Sequence, residues 1–348
     1  MKIGIITFHW AVNYGAILQT YALQTYLENK GHEVWIINYK PKKYDLTYLN
    51  ILLYPKTFIR FKSFCKERKK DKELQKFRDA KLNLTRRYFS TEELKNDPPN
   101  FDVYISGSDQ ILNPSFTLCG ENKPTSAYYL DFGSDNIKRI GYAVSFGCVQ
   151  YPSNAAKIAE PLLKRFDYIT VRENTGIDIL KSMSFTKSNV VPDPTLLLDS
   201  SSYDNLIEEI KCVEDYVFVY MLREKKYNNQ IKNLIPKVKF SDDNEFSISQ
   251  WLSNIKYSKA MITNSYHGVI FCIKFKIPFV VLLSTKENQG MNDRFFTLLE
   301  KLDLFNRIIT YDEIDNISLV VNNLIDWNII EDNRNTKIFD VELLAKIV

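Results

Sequence analysis

The amino-terminal part of the chain alternates between two hydrophobic periodicities, and this alternation constrains the fold more than any other feature. Residues 3–7 form an apolar run typical of a buried strand, and residues 34–37 form a second one. Between them, residues 16–29 carry apolar side chains at near-helical spacing, and Gly31 follows as a helix stop. A strand, a helix and a strand in this order predict a βαβ unit with parallel strands.

The same alternation continues along the chain and predicts two domains of one α/β class. Further strands are predicted at residues 103–106, 140–145, 168–171, 190–191, 217–221, 260–263, 279–283 and 308–309. Helices are predicted at 247–257, 269–275 and 293–302, and Asp199-Ser200-Ser201-Ser202 is interpreted as a linker. We therefore expect two Rossmann-like domains, 1–199 and 200–330, and a carboxyl-terminal helix at 331–348. Ligands should bind in a central cleft where the carboxyl edges of the two sheets face each other.

Composition narrows the function classes. The 348 residues are 45% hydrophobic and 25% charged with a net charge of +4, which is ordinary for a globular protein and argues against a dedicated nucleic-acid binder. The five cysteines form no CxxC, which favours a reducing cytoplasm over a disulfide framework or a zinc knuckle. His9 and His32 have no ligand-like neighbours, so no protein-built metal site is expected. No apolar run approaches transmembrane length, and the start of the chain is interpreted as a buried strand rather than a signal peptide.

A basic segment near residues 48–87 interrupts the α/β pattern. Apolar residues lead into a lysine- and arginine-rich, helix-favouring tract, which predicts an insertion with one or two amphipathic helices. Its charges are either a solvated helix face or a surface that meets anionic lipid at the inner membrane. The second alternative would make the protein peripheral at the cytoplasmic face of the membrane.

The strongest candidate site follows the strand at 260–263. Its residues are Asn264, Ser265, Tyr266, His267 and Gly268. A strand-to-helix junction lies at the carboxyl edge of the sheet, and the free N–H groups of the helix start favour an anion. His267 adds a group that can transfer a proton near neutral pH, although a capping turn with a structural histidine has the same sequence.

Three further strand-to-helix junctions carry polar groups, each of which also has an ordinary structural explanation. The residues are Arg172, after the strand at 168–171; Ser108, Asp109 and Gln110, after the strand at 103–106; and Asn13 and Tyr14, at the first helix start. An arginine can fork onto a phosphate or carboxylate, and the Ser-Asp-Gln loop can bond sugar hydroxyls. The alternatives are a salt bridge, an Asx-capped turn and a plain helix start.

Two arginines in the second half could supply charge to an anion. Arg223 follows the strand at 217–221, and Arg294 opens a helix after a polar loop. A solvated surface arginine explains either residue equally well. The single glycine of the first βα turn gives no GxGxxG pattern, which disfavours a dinucleotide cofactor.

Taken in order along the chain, these motifs resemble the polysaccharide pyruvyl transferase family. The segments at 13–16, 106–110, 171–173, 193–194 and 265–268 carry the resemblance, and residues 278–279 and Arg294 continue it. It implies a fold like the GT-B glycosyltransferases, with phosphoenolpyruvate as co-substrate and no cofactor. The acceptor would be a saccharide, with lipid linkage expected, and the product a pyruvate ketal with release of phosphate.

The resemblance also implies roles for single residues. His267 and Arg172 correspond to the family's donor-associated histidine and arginine, and we expect them to be catalytic. Ser265, Tyr266, Gly268, Arg223 and Arg294 are expected on the donor side, and Asn13, Tyr14, Ser108, Asp109 and Gln110 on the acceptor side. Some relatives carry arginine where this chain has Ser265, so Arg294 or Arg223 would supply the cation for the phosphate. The alternative function is a GT-B-type glycosyltransferase that uses a nucleotide sugar.

Overall fold

The computed structural model describes residues 1–45, 61–119, 125–208, 215–222, 225–241, 246–283, 289–330, 340 and 342–348. The chain divides into two compact units. The first comprises Met1–Phe61, Lys76–Leu197 and Phe339–Val348, and the second comprises Lys62–Gln75 and Leu198–Ile338. The change of unit after Leu197 lies beside the boundary predicted at residue 199, whereas Lys62–Gln75, which falls within the predicted first domain, groups with the second unit. Of the carboxyl-terminal helix predicted at 331–348, residues 331–339 and 341 lie outside the described residues.

Strands and helices alternate through both units. The strands of the described part are β1 Lys2–Ile6, β2 Glu33–Ile36, β3 Val103–Asp109, β4 Lys138–Val144, β5 Tyr168–Val171, β6 Ser188–Val190, β7 Val217–Tyr220, β8 Val238–Phe240, β9 Ala260–Thr263, β10 Phe279–Leu283 and β11 Ile308–Thr310. The helices are α1 Tyr14–Asn29, α2 Phe61–Lys81, α3 Thr91–Asn96, α4 Pro114–Thr117, α5 Ser153–Leu163, α6 Asn174–Ser182, α7 Ser201–Asp204, α8 Asn228–Leu234, α9 Ile248–Lys256, α10 Tyr266–Phe275, α11 Gln289–Lys301, α12 Ile317–Asn322 and α13 Leu343–Ile347.

Each unit contains one parallel sheet in its described part. The first sheet has the order β2-β1-β3-β4-β5-β6, and the second has the order β11-β10-β9-β7-β8. Strands such as β7 and β10 are buried at every position, as expected when helices cover both faces of a parallel sheet. The α/β class predicted from the alternating periodicities is therefore confirmed.

Both sheets have a topological switch point at their first strand. Strand β1 pairs with β2 on one side and β3 on the other, and β7 pairs in the same way with β8 and β9. Because the connections leave the first strand in opposite directions, a crevice opens at the carboxyl ends of the two strands that flank the switch. In the first unit this edge is formed by β1 and β3, and in the second by β7 and β9.

Two parts of the chain differ from the sequence prediction. Strand β8 was not predicted, because Lys239 interrupts a run of only three residues. The supposed linker at 199–202 instead leads into α7, where the Ser202 N–H donates to the Asp199 carbonyl at 3.1 Å. Serine and aspartate favour helix starts as well as loops, so composition alone did not separate the two.

The described part of the basic insertion predicted near residues 48–87 forms the long helix α2, and residues 48–60 of the prediction lie outside the described residues. Its side chains at positions 70, 74 and 78 share one face and are buried, although two of them are Lys70 and Arg78. The helix therefore does not present its whole basic face to solvent. No helix in the described part is both long enough and apolar enough to span a bilayer.

Candidate functional site

In the second unit, the junction between β9 and α10 is shaped by two hydroxyl side chains. The buried Thr263 hydroxyl donates to the Tyr220 carbonyl at 2.7 Å, and its oxygen accepts the Ser265 N–H at 2.9 Å. Ser265 caps α10, since its Oγ accepts the Gly268 N–H at 3.3 Å. The cap uses Ser265 as an acceptor, so its own O–H remains suited to donate to an anion.

Asn264 ties the two strands at the switch point together. The Leu222 N–H donates to Asn264 Oδ1 at 2.6 Å, and Asn264 Nδ2 donates to the Leu222 carbonyl at 3.1 Å. One amide therefore satisfies both backbone groups of the second residue after β7. This contact fixes the end of β7 against the start of α10.

His267 lies in the first turn of α10 and is 6% exposed. Its ring meets the Tyr266 ring edge-on at 5.7 Å between centroids. The Arg294 guanidinium lies over the same Tyr266 ring at 5.2 Å from its centroid. The structure thus brings together Ser265, Tyr266, His267 and Arg294, whereas Arg223 lies outside the described residues.

Gly268 has no positive φ and packs closely against side chains of β9, so a larger residue here would make those side chains shift. A Cβ at this position would lie 3.0 Å from Met261 Cε and 3.2 Å from Thr263 Oγ1. The close approach of α10 to β9 keeps the first N–H groups of the helix at the carboxyl edge of the sheet. Together with the helix dipole, these groups make the edge favourable for an anion.

In the first unit, Arg172 lies at the centre of a buried ion cluster. Its Nη2 donates to Asp109 Oδ1 at 2.8 Å and its Nη1 to Asp193 Oδ2 at 3.1 Å, and Glu173 Oε2 lies 3.7 Å from its Nε. The Arg172 side chain has no exposed surface. Direct contact with a donor molecule, as expected from the sequence, is therefore not open to Arg172 in this arrangement, and its guanidinium instead holds two carboxylates.

Asp193 and Asp109 have different roles in this cluster. Asp193 is fully buried and its second oxygen accepts from the backbone and hydroxyl of Thr195 at 3.0 and 2.7 Å. Asp109 ends β3 with a φ of 80°, and its side chain is 18% exposed. Asp109 is thus a partly exposed carboxylate that is held from inside the fold, at the carboxyl edge beside the switch point.

The other residues expected to contact the acceptor differ in how much of their surface is exposed. Tyr14 and Ser108 have no exposed surface, and the Ser108 hydroxyl donates to the Ala143 carbonyl at 2.8 Å. Gln110 is 6% exposed and accepts from Asn113, while Asn13 caps α1 by accepting the Ala16 N–H at 3.2 Å. We therefore reassign Tyr14 and Ser108 to packing, because a side chain without exposed surface cannot touch a sugar.

Sequence reasoning missed the residues that hold the loop between β1 and α1. Arg78 is buried and donates to the carbonyls of His9, Trp10 and Ala11 at 2.9, 3.1 and 2.9 Å. His9 is buried, with Nδ1 donating to the Thr7 carbonyl at 3.2 Å and Nε2 at 3.1 Å from Asn38 Oδ1, and burial outweighs these hydrogen bonds and lowers its pKa to about 4. His9 is therefore a neutral structural residue at pH 7. Arg78 could not be assigned from sequence, since it is one of many cations in a basic tract.

The same loop carries aromatic side chains that the sequence analysis did not select. Phe8 meets Trp10 at 5.9 Å and Phe116 at 6.2 Å between ring centroids, both edge-on. A run of three side chains Phe8, His9 and Trp10 after an apolar strand was the available signal. Among the described residues, no group of three His, Cys, Asp or Glu side chains is arranged to hold a metal ion.

Solved structures with a similar fold cover nearly the whole chain. UDP-GlcNAc 2-epimerase of Methanocaldococcus jannaschii is 12% identical, with 97% of this chain and 99% of that chain covered and a TM-score of 0.50. The UDP-GlcNAc 2-epimerase of Neisseria meningitidis also matches, at 10% identity and a TM-score of 0.45, with 99% of this chain and 100% of that chain covered. Arabidopsis thaliana UGT89C1 matches at 10% identity and a TM-score of 0.48, with 99% of each chain covered. At these identities the likeness concerns the fold alone: the chain has the GT-B-like architecture of two parallel-sheet α/β domains.

The family follows from sequence. The sequence model of the polysaccharide pyruvyl transferase family matches residues 13–285, and the chain belongs to that family. The matched range includes the Arg172 cluster and the junction at His267. No curated protein matches the chain by sequence. The family resemblance predicted from the ordered motifs is confirmed, and the chain is a transferase of polysaccharide biosynthesis.

Proposed function

We propose that the protein transfers the enolpyruvyl group of phosphoenolpyruvate to two hydroxyls of one saccharide, forming a pyruvate ketal and releasing phosphate. The donor methylene carbon gains a proton, and its neighbouring carbon bonds the first sugar oxygen. The carbon–oxygen bond to phosphate then breaks, and the second sugar oxygen closes the ring. Of the two hydroxyl protons released, one is balanced by the proton on the new methyl group and the other by the proton on phosphate.

The observation that carries this proposal is the position of His267 in the first turn of α10, at the carboxyl edge beside the switch point. A phosphate and a carboxylate are favoured by the helix N–H groups, the Ser265 hydroxyl and the Arg294 guanidinium. We assign His267 the proton transfer to the methylene carbon, because histidine can act as acid or base near pH 7.

On the first unit, Asp109 is the proposed partner of an acceptor hydroxyl. Its partly exposed carboxylate can accept a hydrogen bond from a sugar, and the Arg172 contact keeps that carboxylate in one orientation. Arg172 is then a positioning residue rather than a donor ligand. Gln110 and Asn13, at neighbouring loop positions, are the remaining proposed acceptor contacts.

The proposed steps use no metal ion and no cofactor, since acid–base chemistry and anion binding suffice. We further propose a lipid-linked saccharide as acceptor, at the cytoplasmic face of the inner membrane. Phosphate release that persists after treatment with EDTA is the result expected of the metal-independent steps.

Incubation of the full chain with phosphoenolpyruvate and galactose- or N-acetylmannosamine-containing lipid-linked saccharides tests the proposal. Phosphate should be released, and in heavy water the product methyl group should carry one deuterium. UDP-sugars serve as the comparison, because a glycosyltransferase would release UDP and incorporate no deuterium. Absence of phosphate release with every acceptor, together with no calorimetric binding of phosphoenolpyruvate, would refute the proposed function.

A further inference from the structure

Three aromatic side chains form a cluster of edge-on rings at the switch-point edge of the first sheet, and we call Phe8, Trp10 and Phe116 the aromatic platform. Phe8 lies between the other two rings, and Tyr128 packs beneath it at 4.7 Å between centroids. Phe8 and Trp10 follow β1, whereas Phe116 lies on α4, shortly after the end of β3. The platform therefore joins the two loops that flank the switch point.

Each side chain of the aromatic platform has some surface exposed to solvent. Phe116 is 47% exposed, Phe8 and Trp10 are partly exposed, and Tyr128 is 2% exposed. Phe8 also packs against the hydrophobic core of the first unit, so Phe116 carries most of the exposed ring surface. Exposed aromatic surface that is contiguous over several side chains marks an interaction site more often than isolated apolar residues do. Its place at the carboxyl edge of a parallel sheet points to a ligand rather than to chance exposure.

The loop that carries the platform is held firmly from below. Arg78 takes the carbonyls of three successive loop residues, and the Trp10 indole N–H donates to the Tyr128 hydroxyl at 3.4 Å. Trp10 is also stacked on Tyr44 at 4.3 Å between centroids. These contacts hold the loop backbone and the Trp10 ring in place, which is the preorganisation that a binding site needs.

The polar groups at the same edge indicate the chemical class of ligand that the platform binds. Thr7, next to Phe8, donates to the Ser108 carbonyl at 3.0 Å, so the platform loop adjoins the end of β3 that bears Asp109. A partly exposed carboxylate beside aromatic rings suits a ligand with an apolar C–H face and hydroxyls at its rim. A pyranose ring has this chemistry, since aromatic faces attract C–H groups and carboxylates accept from hydroxyls.

We infer that the aromatic platform binds a pyranose ring of the saccharide acceptor, with Phe116 and Trp10 against the C–H face of the ring and Asp109 toward its hydroxyls. This inference rests on the proposed function, which supplies the saccharide, and assigns it a place. It adds three contact residues that the family motifs do not include.

Saturation-transfer NMR with methyl β-D-galactopyranoside and methyl N-acetyl-β-D-mannosaminide tests the inference. At least one probe should receive saturation from the wild-type protein at its ring C–H protons. Phe116→Ala and Trp10→Phe should both reduce this transfer, and Phe116→Ala should reduce it more because it removes a whole ring that is 47% exposed. Phe305→Ala, which removes an aromatic ring that is 54% exposed in the second unit, should leave it unchanged.

Calorimetric titration with phosphoenolpyruvate distinguishes this inference from the proposed function. Unchanged donor affinity in Phe116→Ala, together with reduced saturation transfer to the sugar, supports the platform. Transfer that is equal in all variants, or absent from the wild type with both probes, overturns it even if phosphate release occurs.

If Phe116→Ala abolishes binding to phosphatidylglycerol vesicles but leaves saturation transfer to the sugar unchanged, the inference is also overturned and the platform is assigned to the membrane. Saturation transfer from the platform without donor binding or phosphate release would instead refute the proposed function alone.

Discussion

The Arg172 guanidinium donates to the Asp109 carboxylate at 2.8 Å and so links the carboxyl end of β5 to that of β3, past the intervening strand β4. The arginine is fully buried and the aspartate is partly exposed. Two neighbouring carboxylates, Asp193 and Glu173, lie on the buried side of the same guanidinium. The result is a carboxylate whose orientation is set from inside the fold and whose exposed part is at the sheet edge.

Two replacements of Arg172 distinguish its role in orienting Asp109 from the role of its positive charge. Arg172→Leu leaves buried carboxylates without their cation, and we expect a loss of about 3–5 kcal/mol in the free energy of unfolding. Arg172→Lys keeps the charge but cannot fork onto Asp109 and Asp193 together, so stability should be partly kept while the KM for the acceptor rises. Denaturant unfolding and steady-state kinetics measure the two effects.

Arg165→Lys is the matched control, because Arg165 also forks onto two aspartates, Asp131 and Asp135, but is partly exposed. It should cost less than about 1 kcal/mol and leave the KM unchanged. An Arg172→Lys variant with wild-type acceptor KM would contradict the positioning role.

Replacement of His267 should remove the proposed proton transfer without unfolding the chain. We expect His267→Gln to lower kcat by roughly 10²–10⁴-fold, with little change in donor affinity. Phosphate release and calorimetric binding of phosphoenolpyruvate measure the two quantities. His32→Gln is the control, and a His267→Gln enzyme with full kcat would exclude this histidine as the acid.

Arg294 should affect the donor and not the acceptor. Arg294→Met keeps an apolar stem over Tyr266 but removes the cation, and the Kd for phosphoenolpyruvate should rise about 10–100-fold, as expected for one charged hydrogen bond. Arg294→Lys should recover part of the affinity. Arg86→Met, an exposed arginine of the first unit, provides the comparison by calorimetry, and equal affinities in all variants would remove Arg294 from the donor site.

Replacement of the Asn264 amide by a carboxylate should lower the free energy of unfolding. Asn264→Asp keeps the acceptor for the Leu222 N–H but places a carboxylate oxygen against the Leu222 carbonyl, which should cost about 1–3 kcal/mol at pH 7. Asn136→Asp is the control, because the exposed Asn136 uses its Oδ1 as an acceptor from Ser134. Equal unfolding free energies for the two variants would argue against a stabilising role of the two hydrogen bonds between Asn264 and the Leu222 backbone.

His9 predicts a pH dependence of stability. Burial lowers its pKa in the folded chain to about 4, below the value of 6.5 that applies to an exposed histidine. Between these values the unfolded chain binds the proton and the folded chain does not, so stability falls as pH decreases from about 6.5 to about 4. The contribution approaches about 3 kcal/mol at the lower limit. The difference in unfolding free energy between wild type and His9→Gln should follow this curve, and a pH-independent difference would contradict it.

The sequence by itself determined the fold class and the location of both edges. Hydrophobic periodicity predicted the strands of both parallel sheets except β8, and the junctions after β3, β5 and β9 were found because polar residues directly follow apolar runs. The capping turn at Ser265 was also predicted, since serine is a preferred capping residue just before a helical segment, whereas the first helix begins at Tyr14 and not at residue 16 as predicted.

Only the tertiary structure decided what each polar side chain does at those edges. The sequence of the junction at Arg172 fits an anion ligand and a salt bridge equally well, and the structure places Asp109 of β3 and Asp193, which follows β6, on its guanidinium. Tyr14 reads as an acceptor contact and is buried. Phe116 belongs to none of the motifs selected from the sequence, and the structure leaves it exposed beside Phe8. The physical reason is that burial and ion pairing depend on neighbours distant in the chain, whereas periodicity and capping depend on neighbours within a few residues.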